Sequence, residues 1–143
     1  LREEEFSTRV SRDLLAQAQV LPLRTPMMES SIPMIDTRTL QALRELGGEH
    51  DLVRELIDLF LEDAPVRLQS MQAAVSGPDF ATLELQAHTL KSSSANLGAE
   101  ELSRLCARLE LAARHADANA CEQIVPRVRE VYEENARELR EVR

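Results

Sequence analysis

Aromatic residues are scarce in this chain: among 143 residues there is no tryptophan, one tyrosine and three phenylalanines. The core must therefore be aliphatic, built mainly from leucine, alanine and valine. Glycine and proline are also few, four and six, which leaves little turn chemistry for a sheet protein. With abundant Leu, Ala, Glu and Arg, that scarcity points to an all-helical fold. Cys106 and Cys121 are too few and too far apart for a disulfide framework or a zinc site. They read as reduced, buried thiols of a cytosolic protein. No apolar run approaches the roughly 20 residues that span a bilayer, and the charged start "LREEEFSTRV" is no secretory signal. Nor is there an initiator methionine, so the chain is expected to be a piece of a longer protein. A formal charge of −8 argues against nucleic acid or an anionic membrane as the main partner. The acidity is read as serving solubility.

What the chain does have is amphipathic periodicity. Residues 3–20 place Phe6, Val10 and Leu14 at i, i+4 spacing, the pattern of an amphipathic helix. "LPLRTPMMESSIPMI" then brings Pro22, Pro26 and Pro33 close together, too broken for a long helix. It reads as a linker or extended arm, either flexible or strapped across the domain by its Met and Ile residues. Residues 1–34 are accordingly set apart as an arm, and 35–143 as the compact domain. Asp36 suits the N-cap of "TRTLQALREL", which Gly47 and Gly48 stop. The next segment carries Leu52, Leu56, Leu59, Phe60, Val66, Leu68, Met71 and Val75 as its apolar side, and Pro65 is expected to bend or divide it. Gly77-Pro78 ends it, and Asp79 can cap a helix running to about Asn96. Leu97-Gly98 turns the chain, and Glu100 and Glu101 favour a new first turn. That helix packs through Leu102, Leu105, Cys106, Leu109 and Ala113. A polar turn, "HADANA", precedes a last helix with Ile124, Val128, Val131, Tyr132, Leu139 and Val142, with Pro126 in its first turn or kinking it. Short connections between long amphipathic helices imply an antiparallel up-and-down four-helix bundle with additional N-terminal helices.

The stretch "AHTLKSSSANLGA" raises the question of function. Phe80, Leu83, Ala87, Leu90, Ser94 and Leu97 recur at intervals of 3, 4, 3, 4, 3 and form a bundle-facing stripe. At about 100° per residue, His88 lies roughly 130° from the centre of that stripe and faces away from the core. Its neighbours on that side are Ala81, Glu84, Leu85, Lys91, Ser92 and Ala95. A helical surface histidine is most often only that, and a metal site is not suggested, since i+3 and i+4 offer Lys and Ser and the other histidines, His50 and His115, fall in turns. The chemistry such an imidazole suits is phosphoryl transfer: it is nucleophilic and largely neutral in cytosol, and a lysine one turn away can offset the charge it gains. No glycine-rich nucleotide loop appears, so the chain is not expected to bind ATP itself.

At these residues the sequence resembles the histidine-containing phosphotransfer (HPt) domain family. The pattern His-x-x-Lys-Gly/small followed by a glycine appears as His88, Lys91, Ser92 and Gly98, and the likeness extends from about Ile35 to Val142. The resemblance implies a helical bundle whose His88 accepts a phosphoryl group at Nε2 from a receiver-domain aspartyl phosphate and passes it to another receiver. It implies charge compensation by Lys91, and a Glu110 that hydrogen-bonds the other ring nitrogen. Ser92 stands where the family often has glycine and is expected only to tune docking; Glu84 and Ala95 are expected to line the docking face with it. Arg114 either adds positive potential or makes an i,i+4 salt bridge to Glu110. The partners implied are receiver domains. No cofactor is implied beyond Mg2+ supplied by the receiver, and no turnover of the domain's own. The start of the chain and the proline-rich arm favour the excised end of a hybrid sensor histidine kinase, which would tether a cytoplasmic domain to the inner membrane through the parent chain. The alternatives are a helical interaction module that does not use its histidine, and the substrate domain of a chemotaxis-type kinase.

Overall fold

Four aspartates set where helices begin in the computed structural model, which describes residues 34–48 and 51–143. Asp36 accepts from the Arg38 backbone N–H and opens α1, Thr37–Gly47. Asp51 does the same for α2, Leu52–Ser76, Asp79 for α3, Phe80–Asn96, and Asp117 for α5, Ala118–Val142. Each carboxylate satisfies a backbone donor that the first helical turn cannot. The exception is α4, Glu100–Arg114, which starts at Ala99 without a side-chain cap and places Glu100 and Glu101 at its positive end. The amphipathic helix expected over residues 3–20, the proline segment up to Pro33 and the turn holding His50 lie outside the described residues.

The helices α2, α3, α4 and α5 pack each on the next, α5 closes back on α2, and α1 lies on α2. The result is the expected all-α bundle, with α1 as a short further helix ahead of the four. Its core is mainly aliphatic: Ile57, Met71, Leu83, Leu90, Leu102, Leu109, Val128 and Leu139 have no exposed surface. Among the described residues one close aromatic pair, Phe60 with Tyr132 at 5.8 Å, joins α2 to α5. Both cysteines are buried and unpaired.

Several expectations are corrected. Pro65 does not divide α2, and Pro126 sits well inside α5 rather than in its first turn, because α5 already begins within "HADANA". Both prolines are exposed, so the carbonyl each leaves without its helical donor faces the solvated side and the helix continues. Leu59 and Val66 are not core residues but 60% and 64% exposed. The buried stripe of α2 runs through Val53, Ile57, Phe60, Ala64, Leu68, Met71 and Ala74, and at about 100° per residue Leu59 and Val66 fall well outside it.

The chain enters the bundle across the α3–α4 turn. Ile35 is buried and pairs with Ala99 in a single antiparallel bridge, and the Asp36 N–H donates to the Gly98 carbonyl at 2.9 Å. Met34 packs on the core, and its N–H donates to the Glu138 carboxylate at 2.9 Å. Gly98 is doubly constrained at this crossing: its φ is +80°, and a Cβ would lie 2.8 Å from the Asp36 carbonyl oxygen. Gly98→Ala is therefore expected to destabilise the bundle by about 2 kcal/mol or more. Gly77→Ala, at φ −93° with no non-adjacent atom within 4 Å of an added Cβ, should cost less, only the local strain of an alanine held at ψ 1° before Pro78. Urea unfolding of the two variants checks the contrast; equal midpoints would show that the crossing carries no constraint.

Candidate functional site

The inward stripe of α3 turns the opposite side of the helix outward. Leu83, Ala87, Leu90, Ser94 and Leu97 are buried, and the His88 side chain, between them in sequence, is 59% exposed. Across the α3–α4 interface lies Glu110, a carboxylate with only 9% of its side chain exposed. Its Oε2 accepts from His88 Nδ1 at 2.9 Å and from Arg114 Nη2 at 3.1 Å, and its Oε1 accepts from Lys91 Nζ at 2.7 Å. The Lys91 ammonium holds the Glu110 carboxyl below its ordinary range, and His88 acts in the same direction, against the opposing effect of burial. An ionised carboxylate can only accept, so Nδ1 carries the ring proton. In the neutral form of the ring the lone pair then belongs to Nε2.

The positions singled out in the sequence thus converge. His88, Lys91 and Glu110 form one hydrogen-bonded cluster, and Arg114 adopts the salt-bridge alternative, with a second bond from its Nε to Glu84 at 3.0 Å. Ser92 and Ala95 are exposed beside the imidazole; the Ser92 hydroxyl turns back toward the His88 carbonyl at 3.4 Å. The sequence places Lys91 one turn from His88 as a compensating charge and names no partner for it. It is paired across helices, 19 residues away from Glu110, a separation with no local signal. Lys91 is also the only lysine of the chain. Ser103 was missed altogether: its hydroxyl donates to the Lys91 carbonyl at 3.0 Å and pins α4 against α3 beside the site. Behind the cluster, burial and the Glu110 charge push the Cys106 thiol up to about 12, far from a reactive thiolate. Among the described residues no group of three or more His, Cys, Asp or Glu side chains gathers as a metal would require. No helix there is long and apolar enough to cross a membrane.

A family model described as Hpt domain matches residues 55–139, a span that holds the whole cluster. The chain belongs to the Hpt domain family. Among curated proteins, histidine-containing phosphotransfer protein 2 of Oryza sativa subsp. japonica is 25% identical over 105 residues, 72% of this chain and 70% of that protein. Among solved structures, histidine-containing phosphotransfer protein B from Pseudomonas aeruginosa PAO1 superposes with a TM-score of 0.71 at 28% identity, covering 76% of this chain and 93% of its own. The maize phosphotransfer protein ZmHP2 gives 0.69 at 26% identity, covering 87% and 91%. Hpt domains serve phosphorelays as phosphotransfer intermediates without turnover of their own, and they interact with receiver domains of two-component systems.

The depressed Glu110 carboxyl makes the Hpt cluster pH-sensitive in a defined direction. A group whose folded pKa lies below its unfolded value contributes stability above that value, here the ordinary 4.5, and loses it as pH falls through the folded pKa. The thermal midpoint of the wild type should therefore exceed that of Glu110→Gln near pH 6, and the gap should shrink toward pH 3. A gap that stays constant over that range would show that the Glu110 charge is not what holds the cluster.

Proposed function

We propose that this domain is a phosphorelay carrier that accepts a phosphoryl group on His88 Nε2 from a receiver-domain aspartyl phosphate and passes it to another receiver. The observation that carries this reading is the Nδ1–Glu110 hydrogen bond beneath an exposed ring. It orients the imidazole, selects the tautomer with Nε2 unprotonated, and leaves that nitrogen where another protein can reach it.

The transfer itself needs positioning and charge more than covalent help. The Nε2 lone pair forms the N–P bond as the acyl-phosphate P–O bond breaks and the receiver carboxylate departs. Because Nδ1 keeps its proton, the ring becomes cationic as the phosphoryl group arrives, and the Glu110 carboxylate already faces that developing charge. Lys91 offsets the negative charge of the phosphoryl group during its passage. The divalent cation of the reaction belongs to the receiver. Ser92 and Ala95 keep the approach low, and a bulky side chain there would fill the space a receiver needs.

His88→Gln is expected to abolish phosphoryl acceptance from a labelled receiver with circular dichroism unchanged and at most a small fall in thermal midpoint, since Glu110 keeps its bonds from Lys91 and Arg114. Lys91→Ala should still dock the receiver but transfer roughly five- to thirty-fold more slowly in a single-turnover assay. Label on the Gln variant would move the acceptor elsewhere, and wild-type kinetics in the Ala variant would remove Lys91 from the transfer.

A further inference from the structure

Glu84 stands one turn before His88 on α3 and takes no part in the transfer just described. Its carboxylate nonetheless accepts from Arg114 Nε at 3.0 Å, while Arg114 Nη2 reaches the same Glu110 oxygen that His88 uses. The guanidinium is thus placed beside the imidazole and is engaged by two carboxylates, one from each helix of the α3–α4 pair. Around a neutral His88, the charges of Glu84 and Glu110 cancel those of Lys91 and Arg114. Phosphorylation with retention of the Nδ1 proton adds one net negative charge and three phosphoryl oxygens. A guanidinium fork is well matched to such oxygens, and Arg114, with 53% of its side chain exposed, is free to turn toward them. What opposes that turn is the pair of carboxylates; Glu110 is already shared with His88 and Lys91, so Glu84 is the one whose hold falls on Arg114 alone.

On the reading that His88 is the phosphoacceptor, we propose that Glu84 is a positioning residue. By holding Arg114, it keeps the phosphohistidine high in free energy and ready to release its phosphoryl group. An exposed carboxylate–guanidinium pair is weak, so it competes with a phosphoryl dianion without excluding it. Such a balance suits a carrier, because a site that gripped the phosphoryl group fully would be a sink rather than a relay.

The test needs no receiver. Wild type, Glu84→Gln, Arg114→Gln and the double variant are equilibrated with phosphoramidate in a fixed excess of ammonium, with His88→Gln as control. In this exchange Nε2 forms its N–P bond as the P–N bond of the zwitterionic donor breaks, ammonia leaves, and Nδ1 keeps its proton. Phosphorus NMR reads the ratio of phosphorylated to free protein. Glu84→Gln is expected to raise that ratio about three- to tenfold and Arg114→Gln to lower it by a similar factor. In the Arg114→Gln background, Glu84→Gln should have no further effect. Circular dichroism checks the fold, and Glu84→Ser, which also removes the charge, repeats the arm should the Gln variant unfold. A purely structural role would leave the ratio unmoved. An unchanged ratio overturns the proposal, as does a rise that persists in the Arg114→Gln background, since Glu84 would then act by its own field. A wild type that takes no phosphoryl group, or a His88→Gln control that does, refutes the acceptor assignment itself and the proposal with it.

Discussion

An ionised carboxylate with so little of its surface in water must find donors inside the protein. Glu110 finds an imidazole N–H, an ammonium and a guanidinium. Left unpaired, a buried charge of this kind would cost several kcal/mol. Paired, it joins α3 to α4 and sets the tautomer, the ring orientation and the positions of two cations at once. The chemistry of the exposed histidine therefore depends on a residue that is itself almost hidden.

For Glu110 to meet His88, α3 and α4 must hold their register to a fraction of an ångström, whereas one residue of helix advances about 1.5 Å. The bundle supplies that register from several sides. Leu83, Leu90, Leu102 and Leu109 interlock in the core. Ser103 grips the Lys91 carbonyl, and the segment around Ile35 and Asp36 is tied to the turn through Gly98 and Ala99. The glycine ten residues after His88 is thus a packing requirement of the site, placed on the far side of the turn where a backbone crosses at contact distance.

Much of this was legible in the sequence because it is local. The caps at Asp36 and Asp79, the stop at Gly77 and the outward direction of His88 follow from spacing along one helix. The stripe of α2 was misread at Leu59 and Val66, since a leucine-rich helix offers more apolar residues than one face can bury, and only its neighbours decide which are used. Pro126 lies past the first turn because the start of α5 depends on Asp117, which outweighs the turn-like composition around it. The resemblance to phosphotransfer domains pointed to Glu110, but the pairing of Lys91 and the bridge from Arg114 to Glu84 arise where two helices meet. Periodicity along either helix alone carries no record of such contacts.

Imidazole has two nitrogens, and Glu110 occupies one of them. On the proposed reading, every donor and every acceptor must then meet the same lone pair from the same side, so no two of them can be served together. Traffic through such a carrier is ping-pong by geometry. An acceptor in excess speeds discharge yet also crowds out the next donor. Flux should therefore pass through a maximum as acceptor concentration rises, and a receiver unable to be phosphorylated would act as an inhibitor simply by sitting over the ring.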